Sequence, residues 1–145
     1  YVAFLDSDDE ISKVYMESLF NIIKFSNFDV INFPYIHDDE YLGRTIHGNK
    51  KKSSNSSDHF REILSMKIGS ASCFKLYKKS LLVKNNLFFP AMLHEDLAWT
   101  YRVFFYAKKI KNWNVDPIYI WKKRTNSLSK TITKKHIDDY FKSFD

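Results

Sequence analysis

The residues with the clearest capacity for chemistry are four in a row, Asp6, Ser7, Asp8 and Asp9, directly behind the apolar run Val2-Ala3-Phe4-Leu5. Carboxylates spaced i, i+2 at a strand end project to one side, where Asp6 and Asp8 can together hold a hard divalent cation, Mg²⁺ or Mn²⁺, through oxygen. Such an ion clamps a diphosphate. Three other readings compete on the letters alone. Asp8, Asp9 and Glu10 precede a helical segment, whose positive end favours negative charge. A calcium-binding EF-hand loop begun at Asp6 would place Glu17 at its twelfth position, but it needs Gly where Ile11 stands, so it fails. A phosphatase of the haloacid dehalogenase type would use Asp6 as nucleophile and Asp8 as general acid. There Gly-Thr normally follows; here Asp9-Glu10 do, and the later acid pair Asp138-Asp139 lies in a helical stretch rather than behind a strand.

The elements that must position these groups read as α/β. Tyr1 to Leu5 is a strand-like apolar run. From Ser12, an N-cap, Met16, Leu19, Phe20 and Ile23 recur at helical spacing and predict a buried face on a helix ending near Asn27. Phe28 to Ile36 and Tyr41 to His47 read as strands joined by His37-Asp38-Asp39-Glu40, with Pro34 arguing against a fully paired central position. Residues 48–57 form a Lys, Ser and Asn tract read as an exposed, mobile loop. Asp58 caps a short helix to about Met66, and Lys75 to Asn85 reads as another. A clearer helix starts at His94, with Glu95 and Asp96 in its first turn, Leu97, Tyr101, Phe104 and Phe105 in register, and lysines near its end. Pro117 to Trp121 reads as a strand. Thr133 caps a last helix reaching Phe144.

The chain has 145 residues, 44% hydrophobic and 17% aromatic, which is enough for one packed core. A formal charge of +6 comes from 19 Lys and four Arg. It suits an anionic partner. Without Arg-rich base readers or a nucleic-acid-binding motif, nucleic acid is set aside in favour of a diphosphate-bearing substrate or anionic lipid headgroups, the latter implying peripheral membrane association. The single Cys73 excludes an internal disulfide and a cysteine-based zinc site, so a reducing compartment, the cytoplasm, is expected. The chain begins without Met and reads as a piece of a longer protein.

Three ordered blocks then carry a resemblance. Phe4-Leu5-Asp6-Ser7-Asp8-Asp9 resembles the D-x-D(D) segment of family 2 glycosyltransferases; Leu87-Phe88-Phe89-Pro90 followed by His94-Glu95-Asp96-Leu97 resembles their "fP…ED" segment. Ile118-Tyr119-Ile120-Trp121 through Arg124, Asn126, Ser127 and Ser129 resembles their tail. The resemblance implies a partial GT-A fold, a Rossmann-like mixed sheet with flanking helices, lacking the N-terminal nucleotide-binding half. Residues 1–130 would form the acceptor-side part and 131–145 a C-terminal helix.

It further implies an inverting transfer from a nucleotide-sugar donor to a saccharide or lipid-linked acceptor, in bacterial surface polysaccharide or lipooligosaccharide synthesis. Asp8 would bind Mn²⁺ or Mg²⁺, and Asp6 would reach the ribose or the metal shell. Asp96 would be the general base, with Glu95 positioning it. Arg124 and Lys123, beside Lys122, would neutralise the diphosphate, and His94 would sit near the acceptor. Trp99 is a candidate for stacking on sugar, with a core position as the other reading of its helical stripe. The chain departs from the family at Ser72 to Tyr77, where relatives commonly carry Trp-Asn-Lys-Leu and Phe74 here replaces the amide. A non-catalytic binding module that keeps the fold is the non-enzyme alternative.

Overall fold

The computed structural model describes residues 1–24, 27–39, 41–48, 56–65, 69–113, 116–123 and 133–144. The chain runs β1 (Val2–Ala3), β2 (Glu10–Ile11), α1 (Tyr15–Lys24), β3 (Val30–Asn32), β4 (Tyr35–Asp39), β5 (Gly43–His47) and α2 (Ser56–Leu64), then a 3-10 turn (Ser72–Phe74). There follow β6 (Lys75–Tyr77), α3 (Lys79–Lys84), α4 (Glu95–Tyr106), β7 (Ile110–Asn112), β8 (Tyr119–Lys123) and α5 (Lys134–Lys142). The strands form two mixed sheets, ordered β1-β6-β3-β7 and β2-β8-β4-β5. In the first, β3 runs antiparallel to β6 and parallel to β7; in the second, β8 runs antiparallel to β2 and parallel to β4.

The first sheet is buried on both faces at β3, where Val30, Ile31 and Asn32 are all buried, Asn32 donating to Asn112 Oδ1 at 2.7 Å. Val30 joins Tyr77, Ile110, Ile63 and the α4 residues Trp99, Val103 and Phe104 on one side. Its neighbour Ile31 faces the other side, with Leu76, Phe74, Tyr119 and the α1 residues Tyr15, Leu19 and Ile22. Between β3 and β4 the chain passes from one sheet to the other at the buried pair Phe33-Pro34. A proline suits that junction because it has no N–H to give to a ladder.

Several sequence expectations are corrected. Helix α1 starts at Tyr15 rather than just after Ser12, and its inward face is Tyr15, Leu19 and Ile22. Met16 and Phe20, expected inside, are 71% and 59% exposed. The helix is displaced because Glu10–Ile11 pairs with β8 and Ser12 N–H donates to Ile118 O at 2.9 Å. Lys75 to Tyr77 is a strand, so the helix expected there shrinks to Lys79–Lys84. His37 to Asp39 belongs to β4, and the hairpin turns only after it, where the Asp39 carboxylate accepts the N–H groups of Tyr41 and Leu42 and Gly43 takes φ +76°. Of the loop expected at 48–57, residues 49–55 lie outside the described residues, while Ser56 and Ser57 open α2. Thr133 caps α5 as expected, in a reciprocal capping box with His136.

Candidate active site

Strand β1 stops at Ala3, and residues 6–9 form a tight turn closed by Asp9 N–H donating to Asp6 O at 3.1 Å. Strand alternation therefore does not apply to the acidic cluster. The turn brings Asp6 together with Asp9 rather than with Asp8: one ligand atom each of Asp6, Asp9 and Cys73 lies within 4.8 Å of the others. Asp9 is committed to the scaffold. Its Oδ2 accepts the Tyr119 hydroxyl at 2.6 Å and its Oδ1 accepts Lys122 N–H at 2.9 Å. The same Tyr119 oxygen accepts Asp6 N–H at 3.2 Å. Strand β8 thus latches the acidic turn at both ends, and Lys122 Nζ pairs with Glu10 alongside.

Asp6 is exposed as a residue, but its carboxylate is the part turned toward buried Cys73, and burial is the main cause that raises its pKa, followed by the charges of Asp9, Asp96 and Asp8. Burial also pushes the Cys73 thiol up to about 12, with the Asp6 charge adding to it. Without a metal the thiol therefore keeps its proton and serves Asp6 as a hydrogen-bond donor. For a divalent ion, the hard oxygens that the turn brings together are those of Asp6 and Asp9, while Asp8 is exposed beside them.

Asp96 arrives from α4. His94, just before the helix, holds φ +60°, an uncommon conformation for a residue with a side chain, and its ring meets those of His136 and Tyr140 edge-on. Helix α5 secures this approach: Asp139 accepts Leu93 N–H at 2.9 Å and pairs with Lys135. That engagement also occupies the acid the phosphatase reading would have needed. Asp96 lines a cavity of about 350 Å³ with His94, Gly69, Ser70, Tyr101 and Tyr140. Its charge bears on Asp6 and also on the buried Lys75 and Tyr77. Asp6 and Asp96, distant in the chain, are thus near enough for their charges to interact.

The remaining expected site residues are placed differently. Glu95 is exposed and does not line the Asp96 cavity. Trp99 is corrected to a core residue: it is 1% exposed, stacks on Phe89, meets Phe4 and Tyr77 edge-on and donates its indole N–H to Leu87 O, leaving no face for a sugar. Lys123 is engaged by Asp39 at 2.7 Å across β8 and β4, so its ammonium already has an anion. Arg124 lies outside the described residues. Cys73, Tyr119 and Lys75 had no assigned part in the sequence reading. An aromatic strand residue gives no local sign that its hydroxyl will meet a distant carboxylate, and a lysine at a strand start reads as solvated.

No protein-family model matches the chain, and no curated protein matches it in sequence. Solved structures do. The chain is similar to S. aureus TarS 1-349 in complex with UDP-GlcNAc, at 23% identity and a TM-score of 0.73, over 91% of this chain and 37% of that one. It is also similar to a second structure of S. aureus TarS 1-349, at 24% identity and a TM-score of 0.66, over 83% of this chain and 35% of that one. The TarS complex with UDP gives 22% identity and a TM-score of 0.67, over 84% and 35%. The chain spans little more than a third of these structures. No described helix is long and apolar enough to cross a membrane. The described residues thus have a mixed α/β fold similar to that of one part of S. aureus TarS 1-349.

Proposed function

We propose that this chain supplies the metal-side and acceptor-side residues of an inverting glycosyltransferase that moves a sugar from a nucleoside-diphosphate donor to a hydroxyl. The observation that carries it is Asp96, at the start of α4, lining a cavity of about 350 Å³, with Asp6 near enough for the two charges to interact. The UDP-GlcNAc and UDP complexes of TarS support a uridine nucleotide as donor class. A bacterial surface-glycan acceptor is the setting that the family resemblance favours.

In this reading the acceptor hydroxyl gives its proton to the Asp96 carboxylate as its oxygen bonds the anomeric carbon. The bond from that carbon to the diphosphate breaks, and its electron pair leaves with the phosphate. Attack from the face opposite the leaving group inverts the configuration. Asp6 and Asp8 would hold Mg²⁺ or Mn²⁺, which when bound offsets the charge of the departing diphosphate. Asp9 and Tyr119 keep the Asp6 turn in place.

The test uses residues 1–145 joined to a donor-base-binding segment. Asp96→Asn is expected to lower transfer by about 10²- to 10⁴-fold, the usual worth of a general base, while UDP binding persists. Asp8→Asn is expected to remove the Mn²⁺ dependence of donor binding. Transfer at the unsubstituted rate by Asp96→Asn would sink the reading.

A further inference from the structure

The wall of the Asp96 cavity is held in an unusual way. Lys75, the first residue of β6, is 2% exposed, and its ammonium donates to Gly69 O and Ala71 O, each at 2.6 Å. Between them, Ser70 O accepts the Thr100 hydroxyl from α4 at 2.6 Å, and Ser72 O accepts the Tyr77 hydroxyl at 3.2 Å. Four consecutive carbonyls therefore end on side chains of the interior. Connecting segments normally turn their carbonyls to water. Here Gly69 and Ser70 line the cavity that holds Asp96, and Thr100 stands one helical turn after Asp96 on α4.

Burying an ammonium is expensive, and an apolar side chain of similar volume would be the more stable filling for the site unless the charge has a task. The burial lowers the Lys75 pKa to about 8, opposed by the nearby charge of Asp96. Lys75 was no part of the expected site, and its carbonyl partners give it one.

We propose that Lys75, with Thr100, is a positioning residue that fixes residues 69–72, and through Gly69 and Ser70 one wall of the Asp96 cavity, so that an acceptor hydroxyl meets the carboxylate at a set distance. Lys75 touches neither substrate nor reacting atoms. The identity of the ligand rests on the transferase reading above; the fixing of the wall does not.

Two readouts keep these apart. Backbone ¹⁵N order parameters of residues 69–72 are expected near 0.85 in the unsubstituted chain and below about 0.6 in Lys75→Met, with those of β3 and α4 unchanged. Thr100→Val gives the same loosening, and keeps the test available should Lys75→Met not fold; Thr100→Ser, which retains the hydroxyl, restores the rigid value. In transfer assays with the donor-binding segment joined, the acceptor KM is expected to rise at least tenfold in Lys75→Met and Thr100→Val, with UDP affinity unchanged and Thr100→Ser near the unsubstituted KM. Unchanged order parameters in both loosening variants overturn the wall. A loosened wall with unchanged acceptor KM overturns the positioning role. Absence of transfer by the unsubstituted protein overturns the transferase reading instead, and the order parameters still decide the wall.

Discussion

The Tyr119 hydroxyl donates to Asp9 at 2.6 Å and, through the same oxygen, accepts the Asp6 N–H at 3.2 Å. One side chain on β8 therefore sets both ends of the acidic turn. Tyr119→Phe leaves the ring in the core but strips Asp9 of one donor and Asp6 N–H of its acceptor. A loss of about 1–3 kcal/mol of stability is expected for such orphaned groups, read as a lower urea midpoint at constant m-value. Under the proposed metal role, Mn²⁺ affinity should fall about tenfold, as for loss of an outer-shell partner, by water-proton relaxation. An unchanged midpoint and affinity would show that the turn holds itself.

Asp39 makes stability depend on acid pH. The Lys123 bond and the two turn N–H groups hold its carboxyl down to about 2, below the ordinary 3.8. The unfolded chain thus takes up this proton first as pH falls, so the Asp39 contribution is complete above about pH 4 and is lost on the way down to about 2. Urea denaturation from pH 5 to pH 2 should show a drop in that window that Asp39→Asn reduces. Equal slopes for the two proteins would exclude the pairing as its source.

Trp99→Ala distinguishes a core residue from a sugar platform. Emptying a fully buried tryptophan site is expected to cost about 3–5 kcal/mol, seen by chemical denaturation. Lost saccharide affinity at unchanged stability would return Trp99 to the site.

Local signals were legible where local physics decides. Glu95-Asp96 opening α4 and the Thr133 cap of α5 stand where capping chemistry puts them, whereas the Asp6 to Asp9 run folds into a turn that strand spacing does not foretell. The α1 face was misread because Met16 and Phe20 are apolar yet exposed, while Tyr15 and Ile22 fill the core. Hydrophobicity alone does not mark burial when apolar residues lie on two sides of a helix. Lys75 hid β6, since a charged residue argues against a buried strand until its carbonyl partners are known. Asp9 read like its neighbours. Only its contacts with β8 separate the latch residue Asp9 from Asp6 and Asp8.

That latch also has a temporal consequence. The Asp9 to Tyr119 bond joins residues 110 positions apart. On a ribosome adding about 5–20 residues per second, β8 follows the acidic turn by roughly 5 to 20 seconds, an interval in which Asp6, Asp8 and Asp9 have no strand to organise them. Non-local pairing of this kind also folds slowly, because a long span must close before the contact rewards it. The nascent chain therefore acquires its acidic corner late, as sheet pairing with β8 completes, and a chain arrested before β8 would leave those carboxylates as a solvated, unshaped segment.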